Sequence, residues 1–419
     1  MVGKRIIHKI ASEEVTHKID LVLTHKFWGI PIFFFFMFVI FGATFTLGVY
    51  PMGWIESGVA ALSSYLESTM NEGVFKDLII DGVVGGVGGV IIFLPNILIL
   101  YLLISVMEDS GYMNRAASIM NKSMQRIGLH GKSFIPLVMG FGCNVPAIMA
   151  SSTIESRNSR IITIFVNPFM SCSARLPLYI LLVGTFFPQN SALIFFCLYL
   201  LGIVLAIVTA LVMRKFLFKG KHEPFVVELT PYKLPSARAA LFLMWDKAWQ
   251  YLRKMGGLIL IASIAVWFLS YYPHDGEKSA AEQQRNSYMG RIGVFCEPIM
   301  SPLGFEWKAN VALISGVAAK ELIVSTFGVL YSESDDDSSQ SLQTKLTSID
   351  PQSGRADFTS SSALAFMVFV LIYFPCIASL AAISSQTGSW KWAVASLTYS
   401  TLLAWVCAFI VFNIANLII

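Results

Sequence analysis

Residues 140–146 read Gly140-Phe141-Gly142-Cys143-Asn144-Val145-Pro146. The string lies in the middle of an apolar run, residues 133–152, that is long enough to reach across a hydrocarbon core of about 30 Å at about 1.5 Å per residue. Two glycines and a proline within seven residues are poor helix interior and good helix punctuation. The run is therefore expected to enter the bilayer and turn back. A turn at that depth must be buried in protein or line a water-filled cavity, because lipid cannot satisfy irregular backbone.

The flanking charges point the same way. The arm with Lys4, Arg5, Lys9, Lys18 and Lys26 is expected in the cytoplasm. Residues 51–82, whose only basic side chain is Lys76, are expected outside, and residues 110–132, with Arg115, Lys122, Arg126 and Lys132, inside. If 133–152 crossed, Arg157, Arg160 and the basic stretch 214–254 would all fall outside. A hairpin entering from the cytoplasm removes that conflict. By the same logic residues 307–331, with Gly316, Lys320, Glu321 and Gly328, form a second hairpin entering from the other face.

Seven apolar runs remain to cross: 27–50, 83–107, 161–187, 191–213, 252–272, 361–385 and 392–419. The expected fold is an all-α polytopic membrane protein with about seven transmembrane helices and two opposed re-entrant hairpins. Such an inverted-repeat-like arrangement points to a transporter with a midplane site; nine plain helices are the alternative. The chain divides as a cytoplasmic arm (1–26), a first membrane half (27–213), a basic cytoplasmic loop (214–251) and a second membrane half (252–419). Residues 113–127 place Met113, Ala116, Ala117, Met120, Met124 and Ile127 on one helix face and Arg115, Lys122 and Arg126 on the other. That is the pattern of a helix lying on the membrane surface.

Composition agrees with the class. Hydrophobic residues make up 55% of the 419 and charged residues 13%, against about a quarter charged in an ordinary soluble domain. A net charge of +4 gives no reason to expect nucleic acid as a partner. The N-terminus lacks the apolar core and cleavage site of a signal peptide. Five of the six cysteines lie in or beside apolar runs, unlike an extracellular disulfide framework.

Three cysteines sit where the helical ladder is expected to break. Cys143 precedes the second arm of the first hairpin, with Pro146 expected to open that arm, and a helix N-terminus favours thiolate there. Cys172 lies in Asn167-Pro168-Phe169-Met170-Ser171-Cys172-Ser173-Ala174-Arg175-Leu176-Pro177, a polar cluster bracketed by two prolines. Cys376 follows Pro375. Thiolates suit soft or borderline metals, whereas a lone buried Cys is often a small hydrophobe. Arg175 is costly at membrane depth and needs a partner, for which Glu321 is a candidate; Glu321 is otherwise a metal ligand. Asn144 and Ser171 are the next candidate ligands. Asn167, Glu108 and Asp109 are candidate gating or structural polar groups, the last two ending the second span. Residues 128–133 superficially resemble a phosphate loop, but Arg126 stands where its first glycine belongs and no strand precedes it. No nucleotide site and no enzyme active site are expected.

The strings 108–113, 131–136 and 140–150 resemble the first Gate segment of the FeoB ferrous iron transporters, and 167–177 continues it. Lys18-Ile19-Asp20 with Leu23-Thr24-His25-Lys26 is similar to the entry into that family's membrane domain. Val317-Ala318-Ala319-Lys320-Glu321 and Pro375-Cys376-Ile377-Ala378 resemble the second Gate segment, and Gly388-Ser389-Trp390-Lys391-Trp392-Ala393 the closing helix. The resemblance implies a permease for Fe(II) as the transported ion, in a prokaryotic cytoplasmic (inner) membrane, with the N-terminus cytoplasmic. It also implies gating by a G domain, whose counterpart is missing here and is expected as a separate polypeptide or lost by truncation. A FeoA-like small protein and a homo-oligomer are further expected partners. A cation-coupled carrier for nucleosides or other small solutes is one alternative reading, and a membrane scaffold for a G protein is another.

Overall fold

The computed structural model describes residues 13–25, 28–218, 232–233, 236–273, 280–331, 346, 358–373 and 375–418. Apart from an isolated bridge at Lys233, the regular structure of the described residues is helical. It divides into two compact units. Unit one comprises Met1–Leu62, Val90–Asn167 and Ile207–Gly257, and unit two Ser63–Gly89, Pro168–Ala206 and Leu258–Ile419. Among the described residues six helical stretches are long and apolar enough to cross a membrane, and two shorter apolar helices, Leu260–Tyr271 and Leu322–Tyr331, accompany them. The protein is thus an all-α polytopic membrane protein.

The chain opens with α1 (Glu13–Leu23) and α2 (Gly29–Thr69). On α2 the residues Phe33, Met37, Ile40, Thr44 and Gly48 recur every three or four positions and form the buried stripe. Phe34, Phe35 and Phe38 face outward, as suits lipid. Helix α2 runs through Pro51 to Thr69, so much of the expected outer loop 51–82 is helical. The chain turns at 70–73 into α3 (Val74–Asp77), a π-helical stretch Leu78–Gly85, α4 (Gly86–Ile92) and α5 (Leu94–Asp109).

Helix α6 (Tyr112–Arg126) follows, over the residues expected as a surface helix. Lys122 and Arg126 are exposed as expected, but Arg115 is 0% exposed. Its Nε donates to Asp20 Oδ1 of α1 at 2.6 Å, Nη2 to Oδ2 at 3.2 Å and Nη1 to the Gly111 carbonyl at 3.0 Å. The guanidinium lies 3.9 Å from the Tyr232 ring centroid, and the Tyr232 hydroxyl donates to Asp20 at 2.8 Å. Periodicity put Arg115 on the polar face; a carboxylate 95 residues away lets the charge be buried.

Within unit one, α7 (Phe134–Met139) and α8 (Asn144–Ala150) lie against each other around the turn at 140–142. This is the expected first hairpin. A Cβ on Gly142 would meet the Leu100 side chain of α5 at 2.2 Å, so the turn packs directly on that helix. Helix α8 starts at Asn144, which makes Pro146 its third residue rather than its first. Next come α9 (Arg157–Val166), α10 (Leu176–Phe186), α11 (Ser191–Phe216) and α12 (Ala237–Tyr271). Before the second hairpin come α13 (Ala280–Asn286) and α14 (Tyr288–Met300).

Unit two holds the second hairpin, α15 (Trp307–Ala318) and α16 (Leu322–Tyr331). Its turn falls at Ala319–Lys320–Glu321, away from both glycines. Gly316 instead lets the arms close, since a Cβ there would meet Ile323 at 2.5 Å and the Tyr373 hydroxyl at 2.6 Å. The chain ends with α17 (Ser360–Ile372), α18 (Ile377–Thr387) and α19 (Trp390–Ile418). In α17 every residue from Ser361 to Ile372 except Leu364 is buried. Its N-terminus is fixed by a Thr359–Ser362 capping box. Phe305 meets Phe366 and Phe369 edge-on at 5.4 and 5.8 Å, and Phe327 and Phe358 close on Phe366 at 5.6 and 5.5 Å. Packing, more than water exclusion, stabilises such a cluster in a membrane. It fixes the end of α17, where the functional geometry begins.

Candidate functional site

Three breaks in helical structure meet inside unit two. The first separates α9 from α10. Helix α9 gives way to a 3₁₀ turn, Asn167–Phe169; Met170–Cys172 are non-helical, and a second 3₁₀ turn, Ser173–Arg175, leads into α10. Pro168 offers no N–H, and Pro177 stands at the start of α10, where none is needed. The break leaves carbonyls for side chains to answer. Arg175, 1% exposed, folds back on its own segment, Nη1 donating to the Met170 carbonyl and Nη2 to that of Pro168, each at 3.1 Å. The expected carboxylate partner is thus replaced by backbone, and Glu321 does not pair with this guanidinium.

The second break follows α17. Tyr373 turns extended, and Cys376 stands at the N-cap of α18, its Sγ 3.2 Å from Ser379 Oγ. The third is the hairpin turn Ala319–Glu321. Lys320, 3% exposed, places its ammonium 3.2 Å from the Tyr373 ring centroid. The Tyr373 hydroxyl donates to the Leu313 carbonyl of α15 at 3.1 Å.

Cys172 is buried and lies within electrostatic reach of Arg175, Cys376, Glu321 and Lys320. Ser171 Oγ lies beside the Tyr179 and Tyr199 phenols but meets neither in hydrogen-bonding geometry. Unit two thus holds the sequence candidates Cys172, Cys376, Glu321, Ser171 and Arg175, together with Lys320 and Tyr373. Among the described residues no three His, Cys, Asp or Glu side chains stand close enough together to form a ready metal cage.

The other candidates belong to unit one. Cys143 has extended backbone immediately before α8, beside Tyr101. Asn144 is buried and its Oδ1 has no hydrogen-bond partner. Asn167 donates from Nδ2 to the Pro136 carbonyl at 2.9 Å and so braces the first hairpin. Glu108 is exposed and Asp109 half-buried at the end of α5. Sequence reasoning saw Lys320 beside Glu321 and gave it no role. Tyr373 was missed altogether; an aromatic two residues before Pro375 was the available signal.

Six long apolar helical stretches, with buried hairpins and broken helices carrying polar groups, define a polytopic membrane protein. Two family models match the chain: Gate, described as nucleoside recognition, over residues 90–186 and 252–390, and the ferrous iron transport protein B C terminus over residues 195–247. The chain is 52% identical over 437 residues to the Fe(2+) transport protein A/Fe(2+) transporter FeoB fusion protein of Porphyromonas gingivalis, covering 96% of this chain and 52% of that protein. It is 41% identical over 424 residues to the Fe(2+) transporter FeoB of Campylobacter jejuni, covering 99% and 68%, and 38% identical over 442 residues to that of Helicobacter pylori, covering 98% and 68%. The chain belongs to the FeoB family of Fe(2+) transporters. It spans about half the length of the Porphyromonas relative. No solved structure matches it.

Proposed function

We propose that this chain is an Fe(II) permease of a bacterial cytoplasmic membrane, passing ferrous iron along a route lined by broken helices. The observation that carries the reading is that Cys172, Cys376 and Glu321 each stand at a break in helical structure within unit two. Soft sulfur and hard oxygen together suit Fe(II), which stands low in the divalent affinity order and must be selected by ligand type and geometry. A transport site must also release its ion, so an open, mixed set serves better than a closed thiolate cage. Ser171, Cys143 and Asn144 are further candidate ligands.

The N-terminus faces the cytoplasm, as does the basic stretch 214–251. Gating is by a G domain. A FeoA-like small protein is a partner, in keeping with the fused arrangement named for the Porphyromonas relative. The test is uptake into proteoliposomes under anaerobic conditions, with Fe²⁺ and with uridine offered separately. Saturable Fe²⁺ entry without uridine entry is expected; uridine entry without Fe²⁺ entry refutes the reading.

A further inference from the structure

We propose that the first break in unit two is an anion site: Arg175, Ser171 and Tyr179 together take a small monovalent anion of the chloride class. The site goes beyond the permease reading and does not depend on it.

The guanidinium makes the first argument. Arg175 is buried, and two of its nitrogens reach neutral groups, the carbonyls of Met170 and Pro168. Its Nε has no hydrogen-bond partner, and that nitrogen can only donate. Among the described residues the ion pairs join Arg115 to Asp20 and Lys132 to Glu155, and no carboxylate pairs with Arg175. A buried cation without a counter-ion is costly, more so with a donor left unanswered.

Two further unanswered groups belong to the same stretch of chain. Ser171 and Tyr179 are fully buried, and neither the Ser171 Oγ nor the Tyr179 hydroxyl has a partner. Ser171 follows Met170, whose carbonyl holds Arg175 Nη1, so the backbone sets the serine next to the guanidinium. Tyr179 stands four residues after Arg175, one turn into α10 and over the same face. Its ring meets Phe195 of α11 edge-on at 6.3 Å, which fixes where the hydroxyl stands. Helix α10 opens beside these groups without a side-chain cap, so the positive end of its dipole adds charge of the same sign.

The chemistry selects the ligand. One donor-only nitrogen and two hydroxyls that can each donate require an acceptor, and the unpaired guanidinium makes a negative one the better. Water would answer the hydroxyls and leave the charge. Burial of all three side chains excludes a large ligand such as sulfate or an organic phosphate. Ser171 keeps both lone pairs when it donates, so an anion does not compete with its candidacy as a metal ligand.

The test uses the full chain in detergent, with chloride exchanged for gluconate at constant ionic strength so that screening does not change. The melting temperature of wild type should rise and saturate with chloride. Bromide should replace chloride and sulfate should not, and the chloride NMR line should broaden in the presence of the protein. Tyr179→Phe and Ser171→Ala each remove one donor and little volume. Each should raise the half-saturating chloride concentration about tenfold, the loss of one hydrogen bond to a charged group. If one variant does not fold, the other carries the same expectation. A melting temperature of wild type that ignores chloride means that water or the Cys172 sulfur answers these groups, and it overturns the proposal. An unchanged half-saturation in a folded variant overturns it equally. Fe²⁺ uptake by the wild type, measured separately, decides the permease reading whichever result is obtained.

Discussion

The ammonium of Lys320 sits 3.2 Å from the ring centroid of Tyr373, while the hydroxyl of that ring donates to the Leu313 carbonyl at 3.1 Å. One side chain thereby touches the turn of the second hairpin and its first arm, at the point where α17 ends.

The two contacts of Tyr373 separate by substitution. Tyr373→Phe keeps the ring under Lys320 and loses the hydroxyl, which should cost about 1 kcal/mol. Tyr373→Leu also loses the aromatic face and some packing, for a total of about 3 kcal/mol. Thermal unfolding in detergent should rank wild type above Phe and Phe above Leu. Equal melting of the Phe and Leu variants would show that the ring does not hold the ammonium.

Gly316 allows α15 and α16 to close. A valine there must push against Ile323 and the Tyr373 hydroxyl, so Gly316→Val should lower stability by about 1–3 kcal/mol and depress Fe²⁺ uptake. Gly328, which has nothing within 4 Å of a built Cβ, should accept alanine with little change. Uptake by Gly316→Val at the wild-type rate would mean that the hairpin does not need this close approach.

The Asp20–Arg115 clasp predicts a pH effect. Burial pushes the Asp20 carboxyl up, but hydrogen bonds from Arg115 and Tyr232, with the Arg115 and His17 charges, outweigh it and leave the group below its ordinary value of 3.8. A carboxyl depressed on folding stabilises the protein above its unfolded pKa, and that contribution fades as pH falls through the folded value. Wild type should therefore lose stability below about pH 4. Asp20→Asn should already be weaker at neutral pH by about 2–3 kcal/mol, with a flatter acid limb. Parallel acid limbs for the two proteins would contradict this role.

The parts of the fold legible in sequence were those marked by local chemistry. Residues 140–146 carry their own punctuation, and the first hairpin turns there. The breaks at Cys172 and Cys376 were announced by Pro168, Pro177 and Pro375. The turn at 319–321 contains neither glycine nor proline, so loop charge implied a hairpin without locating its tip. Pro51 looked like a helix end, but α2 passes through it. Arg115 and Arg175 were assigned their surroundings from periodicity and membrane depth. Their partners, a carboxylate in α1 and two carbonyls of a broken segment, are tertiary facts that no helical wheel contains.

The proposed iron route rests on thiols at broken helices, and anaerobic Fe²⁺ uptake into proteoliposomes by Cys172→Ser and Cys376→Ser, alone and together, measures this most directly. Each single variant should fall at least about tenfold below wild type, since oxygen replaces a ligand better matched to the metal. The double variant should fall little further, because both thiols serve one site. Wild-type uptake by a correctly folded double variant would contradict a thiol-lined path through this cluster.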